Sequence, residues 1–249
     1  MAGTALPRRL SWQFARVVDV VAETAQAKSI VLDPPGWPGH RAGQHVDIRL
    51  TAEDGYQAQR SYSIASAPED DLLTLTIERL DDGEASPYLT EVLEPGDELE
   101  LRGPIGGYFV WEASLQGPLQ LIAGGSGIVP LRAMLRHWAA AGRPVAARVL
   151  YSARSLDAAI YREELLSLAA YDELDLRMAL TRVWPAGWSG HRGRINRAVV
   201  DAAAWPPHER PRTYVCGPTA FVEAAAEILV QSGHRPDSIK TERFGPTGE

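Results

Sequence analysis

The 249-residue chain contains one cysteine, Cys216, so no disulfide can form within it. A single thiol also falls far short of the roughly four ligands that a protein-held iron–sulfur cluster needs. It agrees with a reducing compartment. The six histidines show no metal-ligand spacing. Basic residues are outnumbered, 25 Lys and Arg against 32 Asp and Glu, for a net charge of −7. That balance excludes a nucleic-acid binder working by phosphate neutralisation. No uncharged apolar run is long enough to cross a bilayer, and Met1 to Leu10 lacks the apolar core of a signal peptide. No membrane association and a cytoplasmic location are therefore expected. The remaining composition, 45% hydrophobic and 23% charged, is that of a globular protein long enough for two cores.

Residues 12–111 read as short strands and turns. Strands are expected at 14–21, 28–32, 44–50, 61–65, 72–79 and 98–102, several with strict apolar and polar alternation. With almost no helix between them, they suggest a small antiparallel barrel. One helix interrupts the series after Gly83-Glu84-Ala85-Ser86-Pro87, with Ser86 as its N-cap and Pro87 in its first turn. Its exposed amides would attract an anion. Gly103-Pro104-Ile105-Gly106-Gly107 is a second glycine-dense turn.

The texture changes between Glu112 and Pro118, dividing the chain into residues 1–115 and 116–249. A short apolar strand, 119–123, runs directly into Gly124-Gly125-Ser126-Gly127-Ile128-Val129-Pro130 and then a helix. Strand, glycine turn and helix together present backbone amides to a dinucleotide pyrophosphate, although this is not the Gly-x-Gly-x-x-Gly fingerprint. Three further strand and helix units follow, at 145–151 with 157–170, 174–180 with 195–204, and 212–216 with 219–232, before a last strand at 238–241. The pattern predicts a five-stranded parallel sheet with helices on both faces.

In Arg60-Ser61-Tyr62-Ser63 alternation sends Arg60 and Tyr62 to one face, and Ser61 and Ser63 to the other. A guanidinium suits a phosphate, a tyrosine ring suits a flat heterocycle, and a serine hydroxyl suits a ring nitrogen. Downstream, Cys216 precedes Gly217-Pro218, whose sharp turn leaves the thiol at the carboxyl edge of the sheet, where ligands bind.

Arg60-Ser61-Tyr62-Ser63, Gly83-x-x-Ser86, the Gly124 to Pro130 run and Cys216-Gly217-Pro218, in that order, resemble the ferredoxin–NADP reductase superfamily. The likeness is greatest to the flavoprotein reductase modules of bacterial oxygenases, and it covers residues 10–244. It implies a Greek-key β-barrel binding FAD, then an α/β domain binding NAD(P)H. Arg60 would bind the flavin pyrophosphate with help from Gly83 and Ser86, Ser61 would belong to the same site, Tyr62 would pack on the isoalloxazine, and Ser63 would stand near its N5. Gly124, Gly125, Ser126 and Gly127 would receive the nicotinamide nucleotide, with Cys216, Gly217 and Pro218 beside the nicotinamide. Glu78 and Ser152 join the expected cofactor-binding set. Glu242 would relay protons and Phe244 would cover the flavin, although five residues follow Phe244, a departure from the family's simplest ending.

Charge bears on the nucleotide. Enzymes selecting NADH usually carry a carboxylate after the second strand, whereas an arginine there pairs with a 2′-phosphate. Here Tyr151-Ser152-Ala153-Arg154-Ser155 has no carboxylate before Asp157, and Arg182 follows the third strand. NADPH is expected, with NADH as the alternative. FAD is preferred to FMN on the resemblance alone. The expected activity is transfer of a hydride from NADPH to FAD, then of electrons to a separate ferredoxin-like carrier or oxygenase component. A free-flavin reductase and a nucleotide-sensing module without transfer activity are the alternatives. A monomer or weak dimer is expected.

Overall fold

Alternating burial builds the first half of the chain. The computed structural model describes residues 10–245, so the sequence expectations at Met1 to Leu10 and beyond Gly245 lie largely outside the described residues. Six strands, β1 (Gln13–Ala22), β2 (Ala27–Asp33), β3 (His45–Thr51), β4 (Gln57–Ser63), β5 (Leu73–Glu78) and β6 (Glu98–Ile105), pair antiparallel in the order β4-β3-β6-β1-β2-β5. A bridge between Ile64 and Leu75 brings the two ends of that order together into a barrel. Val17, Ile30, Leu32, Val46, Ile48, Leu75, Leu99 and Leu101 fill the interior and are essentially inaccessible. Burying each such side chain is worth about 1.5–3 kcal/mol. On the outer face Asp47 collects Ser61 Oγ at 2.6 Å and Arg102 Nε at 2.9 Å.

The strand carrying the Arg-Ser-Tyr-Ser motif starts four residues earlier than its sequence suggests. Gln57, Ala58 and Gln59 pair with Thr51, Leu50 and Arg49. Their polar side chains read as a loop, yet backbone pairing to a regular neighbour suffices to extend the strand.

The second half contains β7 (Leu119–Gly124), α1 (Ile128–Ala140), β8 (Ala147–Ala153), α2 (Arg162–Leu168), β9 (Leu174–Leu180), β10 (His191–Arg192), α3 (Arg197–Ala203), β11 (Arg212–Pro218), α4 (Thr219–Gln231) and β12 (Ile239–Phe244). The sheet is parallel, in the order β10-β9-β8-β7-β11-β12. Every residue of β7 is buried, Leu121 against the α1 side and Ile122 against α3 and α4. All five expected strands are present. The sixth, β10, has two residues, too few to show any alternation, and Trp188 secures it by donating Nε1 to the His191 carbonyl at 3.1 Å. Helix α2 begins at Arg162 rather than Asp157, because Tyr161 takes a left-handed backbone conformation.

The two halves meet along a continuous seam. Ala42, Ala65 and Phe109 from the barrel side pack in the same apolar cluster as Met134 and Trp138 of α1. Arg136 reaches Asp70 at 3.0 Å, His137 reaches Glu69 at 2.6 Å, and Tyr214 donates to the Val110 carbonyl at 2.8 Å. Among the described residues no helix is long and apolar enough to cross a membrane.

Candidate active site

From β7 the strand order runs outward through β8, β9 and β10 on one side, and from β11 to β12 on the other. In such a sheet the crevice beyond the carboxyl ends of the two central strands is where ligands bind. Gly124 ends β7, and a single tight turn, Gly125–Gly127, leads into α1. Gly125 has φ +55°. Gly127 lies so close to β11 that an added Cβ would stand 2.2 Å from the Cys216 carbonyl oxygen. The glycine turn and the Cys216-Gly217 turn are therefore packed backbone against backbone.

Above them opens a cleft of about 190 Å³. It brings together Gly124, Gly125, Ser126, Ser152, Arg154, Glu78, Pro218 and Phe244. Glu78 comes from the barrel, and its Oε2 is 3.9 Å from where a Gly125 Cβ would be. A carboxylate so placed can accept from a ribose hydroxyl or an amide. Arg154 donates to Gln26 Oε1 at 3.5 Å, and the Arg182 amide donates to the Arg154 carbonyl at 3.0 Å, so the two arginines leave adjoining backbone.

Cys216 and Glu242 face each other in register on β11 and β12. Burial, reinforced by the Glu242 carboxylate, pushes the Cys216 thiol well up, so it is neutral. Burial likewise raises the Glu242 carboxyl from 4.5 to about 7, and its Oε2 has no hydrogen-bond partner among the described residues. A carboxyl raised on folding costs nothing while protonated, so stability is fullest below pH 4.5 and falls as pH rises through about 7. At about 1.4 kcal/mol per pKa unit the penalty is at most about 3.5 kcal/mol. Glu242→Gln is expected to remove it: thermal melts between pH 5 and 8 should show a falling midpoint in the wild type and a flatter one in the variant.

The Arg60 motif forms a second cluster. The Arg60 guanidinium pairs with the Glu84 carboxylate, whose other oxygen accepts from Tyr56 Oη at 3.0 Å. Tyr62 pairs in register with Val46 and packs on the barrel core, and burial pushes its hydroxyl up to about 12. Ser61 is turned away and held by Asp47, so the structure brings together Arg60 and Tyr62 but not Ser61. Ser63 is half-buried, in register with His45.

Ser86 is not an N-cap. Its hydroxyl accepts from the Leu80 amide at 3.0 Å, and the chain then makes one wide turn, Tyr88–Val92, preceded by Pro87. The competing amide satisfies the hydroxyl before the helix can use it. Gly83 packs on this serine, where an added Cβ would be 2.7 Å from Ser86 Oγ.

Several site residues escape a reading of the sequence. Thr24, Gln26 and Ala27, in and after the β1–β2 turn, line the cleft from the barrel side. They lie about a hundred positions from the glycine turn and carry no local signal. Phe221 lies beneath Gly124, 2.8 Å from a built Cβ. Its place three residues after Pro218 on a helix was the available clue.

Residues 28–110 match the family described as oxidoreductase FAD-binding domain, and residues 121–227 match oxidoreductase NAD-binding domain. The glycine betaine monooxygenase reductase subunit of Chromohalobacter salexigens is 30% identical over 238 residues, 93% of this chain and 64% of the relative. The chain thus spans about two thirds of that relative's length. Ferredoxin–NADP reductase B of Sorangium cellulosum is 35% identical over 193 residues, 75% of this chain and 78% of the relative. Among solved structures, the flavohem-like FAD/NAD binding domain of nitric oxide dioxygenase from Vibrio cholerae superposes with a TM-score of 0.84 at 25% identity, covering 94% of this chain and 99% of that one.

Proposed function

Because the chain belongs to the ferredoxin–NADP reductase family, we propose that it takes a hydride from NADPH onto bound FAD and passes electrons to a separate acceptor protein. The observation that carries this reading is the backbone contact of Gly127 with Cys216 at the centre of the parallel sheet, beneath a cleft lined from both domains. The residues present fit both cofactors. The glycine turn at the start of the 13-residue α1 offers a cradle for a pyrophosphate in which Ser126 carries the one side chain, and Arg154 after β8 with Arg182 after β9 offers positive charge. Arg60 and Tyr62 offer a guanidinium and a ring on one strand face for the flavin.

Bound flavin supplies acceptance of the hydride and release of electrons one at a time. The chain's own residues orient and exclude. Cys216, neutral and buried, lies behind the glycine turn rather than in the cleft lining, and Glu242, in register beside it, can hold a proton near neutral pH. Phe244 walls the cleft from the end of β12. The acceptor is a ferredoxin-like carrier or an oxygenase component, in keeping with the names of the relatives. The reading includes a cytoplasmic protein, monomeric or weakly dimeric.

An anaerobic titration of the FAD-loaded protein with NADPH and separately with NADH tests this. NADPH is expected to bleach the visible flavin band at lower concentration than NADH. Arg154→Ala should raise the NADPH requirement about tenfold, the low end for a charge-assisted hydrogen bond, and leave NADH unchanged. Bound flavin that neither nucleotide bleaches would overturn the reading.

A further inference from the structure

Tyr161 has φ +60° and ψ +23° immediately before α2. A bulky residue holds a left-handed backbone only where its surroundings fix it, and such residues gather at working sites. Its side chain is buried in the apolar cluster that joins the two halves, and its hydroxyl reaches the barrel. The hydroxyl donates to Thr76 Oγ1, which lies 2.7 Å from Ser29 Oγ, and Ser29 Oγ donates to Glu23 Oε1 at 2.5 Å. Ser29 and Thr76 are themselves buried and face each other in register on β2 and β5. The three hydroxyls form a socket and a peg.

This contact reaches both cofactor sites. Thr76 stands two residues before Glu78, which lines the nucleotide cleft. Ile160, next to Tyr161, lines the same cleft, and its amide donates to Tyr151 Oη at 3.0 Å. The Tyr161 ring supports the Arg132 guanidinium, 4.2 Å from its centroid. Arg132 in turn donates to Glu164 Oε2 at 2.7 Å and to the Ala65 carbonyl at 3.3 Å. Ala65 lies two residues beyond Ser63 of the flavin motif.

We propose that Tyr161 is a positioning residue, a peg from the nucleotide domain seated in the Ser29 and Thr76 socket, which fixes the nucleotide cleft relative to the flavin-binding strand. The inference rests on the two-cofactor reading above and adds to it the residue that sets the geometry between the sites. Misplacing reacting atoms by about 1 Å can cost about a hundredfold in rate. Removing the peg leaves the glycine turn and Arg60 unchanged, so binding is preserved while transfer slows.

The test compares Tyr161→Phe, Thr76→Val and the double variant. In the chain without nucleotide, hydrogen exchange at residues 159–162 is expected to quicken in each. With FAD bound and NADPH saturating, stopped-flow reduction should slow about tenfold, with both dissociation constants within about twofold of wild type. The double variant should be no slower than either single one, and Thr76→Ser should restore the rate. Where Tyr161→Phe fails to fold, Thr76→Val carries the test from the barrel side. Unchanged exchange and rate, a lowered melting temperature at unchanged rate, or additive losses in the double variant would overturn the inference. A wild type that NADPH does not bleach overturns the two-cofactor reading instead, and the exchange measurement still reports on the peg.

Discussion

Gly127→Ala is expected to slow flavin bleaching by nicotinamide nucleotide about a hundredfold while leaving flavin content near wild type. The added methyl would stand 2.2 Å from the Cys216 carbonyl oxygen, 2.4 Å from its carbon and 2.7 Å from the Gly217 nitrogen. All three are backbone atoms, so no rotamer change relieves the contact. Nor can β11 retreat, because Cys216 is paired with Ala123 on one side and Glu242 on the other. The glycine turn must move instead, and it carries Gly125 and Ser126 out of the cleft with it. A displacement of about 1 Å is enough for about a hundredfold loss in reduction rate. Overpacking against a buried strand adds a stability loss of about 1–3 kcal/mol. Arg60 and Tyr62 stand in the barrel, beyond the reach of this change. Stopped-flow reduction, paired with flavin content and a thermal melt, checks all three consequences, and a variant reduced at the wild-type rate would show that the contact does not set the cleft.

What the sequence disclosed about this site follows from the range of the forces involved. The apolar run 119–123 ending in glycines announces a strand, a turn and a helix because all three signals are local. Cys216-Gly217-Pro218 is legible for the same reason. Long-range packing is not. Tyr161 lies in a stretch with helical character, and only the barrel socket explains why its backbone is left-handed and α2 starts late. Ser86 has every local mark of an N-cap, but the Leu80 amide, six residues back, takes its hydroxyl first. Polar Gln57 and Gln59 look like loop until β3 is there to pair with them. The residues that the sequence conceals are therefore those whose partners lie outside their own element, in the other domain, on a neighbouring strand or, for Ser86, in the loop six residues back.

Arg60→Ala is expected to weaken FAD binding about a hundredfold, with the nucleotide cleft intact. A charge-assisted hydrogen bond to phosphate is worth about 1.5–3 kcal/mol, and each 1.4 kcal/mol is about tenfold in affinity. The upper part of that range applies because of Glu84. In the structure Arg60 neutralises the Glu84 carboxylate, which Tyr56 also holds in place. Removing the guanidinium therefore takes away an attraction and also leaves an uncompensated carboxylate facing the place where an anionic pyrophosphate would lie. Both effects act in the same direction. Arg60→Lys keeps the charge but cannot span a phosphate and Glu84 with one planar fork, so it should recover only part of the loss. Titrating the unloaded protein with FAD by flavin fluorescence measures each step. Arg60→Ala combined with Glu84→Gln separates the two contributions: the double variant should bind FAD more tightly than Arg60→Ala alone. Equal affinity would mean that Glu84 is screened by solvent and that the guanidinium acts by direct contact only.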